Sequence, residues 1–266
     1  MDLKIDFEEY FYINGLDKIL DIDFKLNEAY DPEFVFENDG GEAYQPEILD
    51  LTRLHYIIRK RKILTVLEFG IGFSTLVMAD AIRKNKEQFS FHIKGKIRRI
   101  DPFHIYSVEA SEYKDKYAKN TIESLKKFNL DEFVDIHFSS ASLTTFNERI
   151  CGKFDNLPNI CPDFIYVDGP NPSSIKGQIN GISMNHQDRT NLTCDLLTIE
   201  PMLLPGTCIL FDGLTNNARF HKNNFQRNWI YVHNEKEDYS FFELDEKPLG
   251  PYNRNQMEFQ NSLTQK

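Results

Sequence analysis

Short apolar runs alternate with helical stretches along most of this chain, and this alternation limits the folds that the chain can adopt. Five runs have the length and composition of strands: residues 63–67, 105–109, 134–138, 164–168 and 207–211. Helical periodicity is clearest before the first run, where Ile48, Leu51 and Ile58 recur on one face. Strands that alternate with helices favour right-handed crossovers and a mostly parallel sheet with helices on both faces.

Two further apolar runs near the carboxyl terminus are predicted to pair with each other. Residues 229–233 and 239–244 are joined by the short acidic turn 234–238, which predicts an antiparallel pair. We therefore predict an α/β, Rossmann-like, doubly wound fold with a mostly parallel seven-stranded sheet and an antiparallel C-terminal hairpin strand. A helix is predicted over 192–204 and a polar loop or small insertion over 84–102. Residues 1–45, acidic and rich in aromatic side chains, are predicted to form an N-terminal extension or lid on a domain of residues 46–266.

Four of the predicted strands end in a carboxylate, namely Glu68, Glu109, Asp168 and Asp212. Ligands of open α/β sheets bind outside the carboxyl ends of the strands. A single aspartate after a strand is often no more than turn chemistry. Four carboxylates at one edge indicate a binding cleft.

The turn after the first strand carries Gly70 and Gly72 and leads into a predicted helix over residues 74–82. Glycines let the backbone turn tightly and approach a ligand closely. In the fingerprint of nicotinamide-binding proteins a third small residue stands where this chain has Thr75. Glu68, two residues before Gly70, suits a cationic ammonium or sulfonium group better than a pyrophosphate.

The stretch from Glu68 to Thr75 resembles motif I of the class I S-adenosylmethionine (SAM) dependent methyltransferases, and residues 163–169 and 204–212 are similar to the small-molecule O-methyltransferase branch. The resemblance extends over about residues 45–244. It implies SAM as the cofactor, with Glu68 at its methionine part and Glu109 at the ribose hydroxyls. The residues after the third strand would contact adenine, although this family often has Asp where this chain has Ser140 or Ala141. The cofactor residues implied are Glu68, Gly70, Gly72, Ser74, Thr75, Glu109, Ala110, Ser140, Ala141 and Asp168.

Structural roles compete with several of these assignments. Glu68 can also hold its loop by accepting hydrogen bonds from backbone N–H groups, and Glu109 can act as a partner for a helix amino terminus. Asp168 can also stabilise the turn that precedes Gly169 and Pro170.

The acceptor side of the predicted cleft has four candidate catalytic residues. A hydroxyl acceptor needs a base, for which Asp168, Asp212 and His186 are the candidates, and Arg189 could bind an anionic group of the acceptor. His186 and Arg189 lie in a polar segment, residues 180–190, that is equally well explained as a surface loop capping the next helix.

Metal-dependent members of the branch hold a divalent cation with an Asp after the fourth strand and an Asp-Asn pair after the fifth. Asp168 and Asp212 match that pattern, but Gly213 stands where Asn is expected, and Asn216 is the nearest substitute. A magnesium site with Asp168 and Asp212, completed by water or Asn216, is left open, and we assign no metal.

The predicted function is methyl transfer to a small polar acceptor, an oxygen atom of a sugar or a related metabolite. An NAD-dependent oxidoreductase or epimerase, and a non-catalytic cofactor-binding module, are the alternatives. The net charge of -10 argues against nucleic-acid and membrane-surface partners, while a homodimer is left open. No run approaches the roughly 18 apolar residues of a membrane span, and the amino terminus does not resemble a signal peptide, so we expect a cytoplasmic protein. Four widely spaced cysteines indicate neither a zinc site nor a disulfide framework.

Overall fold

The computed structural model describes residues 5–24, 46–186 and 188–262. Part of the predicted N-terminal extension, residues 1–4 and 25–45, therefore lies outside the described residues. The helices are α1 Phe7–Ile13, α2 Leu16–Leu20, α3 Ile48–Lys60, α4 Phe73–Ile93, α5 Tyr117–Lys127, α6 Asp195–Ile199, α7 Thr215–Asn224 and α8 Gly250–Asn261. The strands are β1 Thr65–Phe69, β2 His104–Ala110, β3 Val134–Ser139, β4 Ala141–Phe146, β5 Arg149–Phe154, β6 Phe164–Val167, β7 Ile175–Lys176, β8 Cys208–Asp212, β9 Trp229–Asn234 and β10 Tyr239–Leu244.

The main sheet has seven strands in the order β3-β2-β1-β6-β8-β10-β9. The first five strands in this order are parallel, and β10 runs antiparallel to both of its neighbours. The predicted fold class is thereby confirmed. From β1 the chain builds outward through β2 and β3 and then returns to place β6 on the other side of β1. The topological switch point, where such sheets bind ligands, is between β1 and β6.

A second, three-stranded sheet in the order β5-β4-β7 was not anticipated from the sequence. Strand β4 pairs with β5 as a hairpin and with the short β7 in parallel, so that Ala141 lies beside Ile175. Gly152 on β5 makes this packing possible, because a Cβ atom there would lie 2.6 Å from the Cδ1 atom of Ile175.

Two helix predictions are corrected by the structure. The polar segment from residue 84 is helical up to Ile93, because Asn85, Phe89 and Ile93 form a buried row at four-residue spacing beneath a charged face. The helix predicted over 192–204 is limited to α6, which is followed by a 3-10 turn at Glu200–Met202. Pro201 explains the break, because proline lacks the N–H group that a continuing α-helix requires.

The described part of the N-terminal extension packs on the main core. Phe11 and Leu16 are fully buried against side chains of α3 and α4. Tyr10 binds the Nδ1 atom of His55 at 2.8 Å, and the Nε2 atom of His55 lies 3.1 Å from the Asp80 carboxylate. Burial lowers the pKa of His55 to about 4, so this chain of hydrogen bonds contains a neutral imidazole near neutral pH. No helix within the described ranges is long and apolar enough to cross a membrane.

Candidate functional site

Strand register brings four predicted site residues to one level at the carboxyl edge of the main sheet. Phe69 of β1 pairs with Val108 and Val167, and Val167 pairs with Phe211. The next residues outward on β2, β1, β6 and β8 are Glu109, Gly70, Asp168 and Asp212. Glu68 lies two residues further in, beside Ser107 and Tyr166, so three of the four predicted carboxylates are level and the fourth lies behind them.

Glu68 is enclosed by hydroxyl groups. Its carboxylate accepts hydrogen bonds from Ser74 at 2.7 Å, Thr75 at 2.8 Å and Ser107 at 2.5 Å, and the side chain is fully buried. Burial raises the pKa of Glu68 to about 7, although the three hydroxyl groups act in the opposite direction. The carboxylate therefore joins the end of β1 to the first turn of α4, and hydroxyl donors replace the backbone donors considered from the sequence.

The turn between β1 and α4 leaves open space in front of it. Gly70 has a φ of +117°, which favours glycine, and its N–H group donates to the Val108 carbonyl at 2.9 Å. The N–H group of Gly72 donates to the Thr75 hydroxyl at 3.0 Å. A Cβ atom added to Gly72 would meet no protein atom within 4 Å. This side of the turn therefore has room for a ligand beside the start of α4.

The Glu109 carboxylate accepts hydrogen bonds from residues that lie close to it in the chain. One carboxylate oxygen accepts a hydrogen bond from the Ala110 N–H group at 2.6 Å, and the other accepts one from the Tyr117 hydroxyl at 2.6 Å. The side chain is only 2% exposed. Burial raises the pKa of Glu109 to about 7 against the lowering effect of these donors. Tyr117 thus occupies one oxygen of the carboxylate that the resemblance assigns to the ribose hydroxyl groups.

Asp168 is the most accessible of the level carboxylates. Its side chain is exposed and makes no hydrogen bond with another residue of the described ranges. Surrounding protein, and next the carboxylates of Asp212, Glu68 and Glu109, raise the pKa of Asp168. Because solvent reaches the Asp168 side chain, it weakens both the desolvation and the repulsion that raise this pKa.

The loop after Asp168 passes very close to the turn after β1. A Cβ atom on Gly169 would lie 3.3 Å from the Gly70 nitrogen atom and 3.3 Å from the Phe69 carbonyl oxygen. The two loops therefore meet backbone to backbone at the switch point, and only glycine at position 169 allows this without displacement.

Asp212 lies among several other carboxylates. It accepts a hydrogen bond from the Tyr166 hydroxyl at 2.8 Å. Burial and the nearby Asp50 raise the pKa of Asp212 to about 7. Arg53 supplies the compensating charge, since its fully buried guanidinium pairs with Asp50 at 2.5 Å and with Glu237 at 2.8 Å.

The predicted adenine contacts lie where the main sheet meets the second sheet. Ser140 is exposed between β3 and β4, and its carbonyl accepts a hydrogen bond from the Asp155 N–H group at 2.9 Å. Ala141 is buried as the first residue of β4, and Ala110 is buried at the end of β2.

The structure does not join His186 and Arg189 to the level carboxylates. Both are exposed, and their polar contacts are with their own loop: His186 with Asp188, and Arg189 with the Ser183 carbonyl. The loop nevertheless borders the site, because Thr190 accepts a hydrogen bond from Asn216 at 3.0 Å and Asn191 donates to the Pro170 carbonyl at 2.7 Å.

The described side chains of this region form no cluster suited to binding a metal ion. Within residues 5–24, 46–186 and 188–262, no group of three or more His, Cys, Asp or Glu side chains is arranged to hold a metal ion.

Four residues with direct roles in the site architecture were not found from the sequence: Ser107, Tyr117, Tyr166 and Arg53. Ser107 and Tyr166 pair with Glu68 in the ladders of β1, a relationship that the sequence shows only after the register is known.

An apolar cavity of about 210 Å³, lined by Leu67, Pro162 and Leu203 among others, lies toward the amino ends of β6 and β8, away from these carboxylates.

No protein-family model matches the chain, and no curated protein matches its sequence. The structure is similar to the SAM-bound O-methyltransferase TomG from Streptomyces achromogenes, which is involved in tomaymycin synthesis, at 13% identity and a TM-score of 0.44, with 92% of this chain and 93% of that chain covered. It is similar to an O-methyltransferase from Bacillus cereus in complex with SAH at 13% identity and a TM-score of 0.41, with 92% and 93% covered. It is also similar to the SAH-bound methyltransferase PaMTH1 from Podospora anserina at 13% identity and a TM-score of 0.44, with 92% and 100% covered. Both measures are low, and the strand order of this chain is established by its own hydrogen-bonded ladders.

Proposed function

We propose that the protein is a SAM-dependent methyltransferase that acts on a small polar acceptor, an oxygen atom of a sugar or a related metabolite. The observation that supports this most directly is the level arrangement of Glu109 and Asp168 on either side of the open turn at Gly70. That arrangement surrounds the switch point of the sheet, where ligands of such folds bind.

The residues of the site suit the chemical groups of SAM. SAM carries positive charge on its sulfonium and ammonium groups, and the edge of the sheet presents the carboxylates of Glu109, Asp168 and Asp212. The open side of Gly72 provides room at the start of α4. Glu109 would accept hydrogen bonds from the ribose diol after Tyr117 moves aside. When bound, SAM would supply an activated methyl group.

We assign Asp168 the role of the base that activates the acceptor. Alignment of the acceptor with the methyl donor provides most of the rate enhancement in such a displacement. Asp168 is exposed and is not engaged by another described side chain, so it can accept the proton that the acceptor hydroxyl releases. Burial raises the pKa of Asp212 to about 7, close to neutral pH, where a base of this kind is most effective, and the pKa of Asp168 is raised in the same direction.

A sugar-like acceptor fits the remaining polar surface. Sugar hydroxyl groups donate hydrogen bonds to carboxylates, and Asp168 and Asp212 lie side by side on adjacent strands. The polar loop of residues 180–190 borders the same region and could contribute further contacts from His186 and Arg189.

Calorimetry of the full-length protein with SAM and with its demethylated product is the first test. We expect binding of both, with a large loss of affinity in Glu109→Ala and a smaller loss in Asp168→Asn, which removes one of the carboxylates that face the cationic groups. Asp131→Asn, which alters an exposed aspartate in a different part of the surface, is the matched control. Absence of SAM binding by the folded protein would refute the proposal, and thermal stabilisation by NAD in its place would favour an oxidoreductase or epimerase.

Transfer from labelled SAM into a metabolite extract tests the second half of the proposal. We expect transfer by the unmodified protein and none by Asp168→Asn. If His186→Asn abolished transfer and Asp168→Asn did not, the base would lie in the loop. Tight SAM binding without transfer to any component would favour a non-catalytic binding module.

A further inference from the structure

An exposed surface far from the site combines unpaired cations with protruding apolar side chains. We name it the basic surface and define it by Phe91, Lys94, Lys96, Arg98, Ile100 and Tyr252. It occurs in a protein of net charge -10, yet residues 88–100 contain four Lys and Arg residues and no acidic residue. The overall charge therefore does not describe this part of the molecule.

Residues 94–100 combine exposed side chains with two that are partly buried. Lys94, Lys96, Arg98 and Ile100 are exposed, whereas Ile97 packs against the core. Arg99 also turns inward, where it binds the Cys161 carbonyl and the Gln256 side chain. The three exposed cations and Ile100 thus lie close together in the chain and are all accessible to solvent.

Helix α8 fixes this segment in place. Asn255 of α8 donates to the Lys96 carbonyl at 3.0 Å, and the Arg98 guanidinium lies 5.9 Å from the ring centre of Tyr252. Lys94, Lys96 and Arg98 form no ion pair with an acidic side chain among the described residues. Their charges are therefore available to a partner.

The apolar members of the surface protrude. Phe91 is 87% exposed, Ile100 is 106% exposed and Tyr252 is 54% exposed. Exposure of this degree means that the Phe91 and Ile100 side chains are almost as accessible as in an extended peptide. A rigid partner would need a matching cavity for each, whereas a lipid bilayer accepts apolar side chains of any shape between its headgroups.

We propose that the basic surface binds an anionic lipid membrane. The phosphate and carboxylate groups of the lipids would attract Lys94, Lys96 and Arg98, while Phe91, Ile100 and Tyr252 would enter the boundary between headgroups and acyl chains. Helix α4 begins at the candidate site and ends at this surface, a separation of about 30 Å for a helix of this length. A membrane-bound molecule would therefore keep its site open to the aqueous side.

Co-sedimentation of the full-length protein with vesicles tests this proposal. We expect binding to vesicles of phosphatidylcholine with about one third phosphatidylserine at low salt, little binding to phosphatidylcholine alone, and release at high salt. The triple variant Lys94→Gln, Lys96→Gln, Arg98→Gln should bind about a hundredfold more weakly, since each cation near an anionic surface contributes about a factor of five.

Two control variants separate this surface from general effects of charge and folding. Lys119→Gln, Lys126→Gln, Lys127→Gln removes the same charge from the exposed face of α5 and should bind as the unmodified protein does. Phe91→Ser with Ile100→Ser should weaken binding without lowering the thermal midpoint, because neither side chain is buried. Equal binding by both triple variants, or no binding to the anionic vesicles, would overturn the proposal. Tight binding to heparin or to an acidic protein in the absence of vesicle binding would also overturn it and would identify a different class of partner.

Discussion

Replacing Glu68 with glutamine should stabilise the fold above neutral pH while weakening cofactor binding. Glu68 is fully buried, and burial raises the pKa of its carboxyl group from 4.5 to about 7 despite three hydroxyl donors. A rise of that size corresponds to roughly 3 kcal/mol of difference between the protonated and ionised forms. In glutamine the amide oxygen keeps an acceptor, and the amino group can donate to a hydroxyl oxygen of Ser74, Thr75 or Ser107, because hydroxyl groups both donate and accept.

The direction of the pH dependence follows from the higher pKa of the folded state. The folded protein retains a proton that the unfolded chain releases between pH 4.5 and about 7. The stabilising contribution of Glu68 is therefore complete below pH 4.5 and is lost as the pH rises through about 7. Glutamine has no such proton to lose. The free energy of unfolding of Glu68→Gln should exceed that of the unmodified protein by up to roughly 3 kcal/mol at about pH 8 and by much less at about pH 5.

Urea unfolding at these two pH values, followed by the fluorescence of Trp229, measures the difference. Glu123→Gln on the exposed face of α5 is the control and should show no pH-dependent gain. Calorimetry with SAM should show weaker binding by Glu68→Gln, because the amide no longer attracts a cationic group. An equal loss of stability at both pH values would refute the reasoning, since it would mean that the hydroxyl groups stabilise an ionised carboxylate throughout.

Three further changes test other parts of the site. Gly72→Ala should alter the free energy of unfolding by less than about 0.5 kcal/mol, because its Cβ atom meets no protein atom within 4 Å, but should reduce the affinity for SAM in calorimetry; unchanged affinity would place the ligand elsewhere. Tyr117→Phe should bind SAM more tightly than the unmodified protein, because it frees an oxygen of Glu109, and a loss of affinity would show that Tyr117 itself holds the cofactor. Arg53→Met should lower the free energy of unfolding in urea by about 2 kcal/mol, because two carboxylates lose their cation. This loss is smaller than for a fully buried ion pair because Glu237 is 31% exposed. Unchanged stability of Arg53→Met would contradict this role of the guanidinium group.

The main sheet could be predicted from the sequence because its strands are short, mostly apolar runs. Strands buried on both faces, such as β6, are apolar along their whole length, and this pattern has few alternatives. The carboxylates at the strand ends followed from the same pattern. Their relative heights did not, since the two-residue offset of Glu68 depends on how β1 pairs with β2 and β6.

Other features have no comparable signal in the chain. Strands β4 and β5 carry several polar residues in a partly exposed hairpin, so their sequences resemble loops as much as strands. The burial of Arg53 depends on Glu237, which is far away in the sequence. Tyr117 appears in the sequence as a helix residue, and its contact with Glu109 depends on the path of the chain between β2 and α5.

The second sheet makes the two halves of the cleft mechanically dependent on each other. Strand β4 begins directly after Ser140, on the side predicted for adenine, and β7 follows the loop that starts at Asp168, on the side proposed for the acceptor. The ladder between Ala141 and Ile175 joins these segments, so a shift of one backbone displaces the other. When two ligands favour the same position of a shared element, each raises the affinity for the other by the same factor. We therefore expect cofactor and acceptor to bind cooperatively, with the small sheet transmitting the coupling free energy.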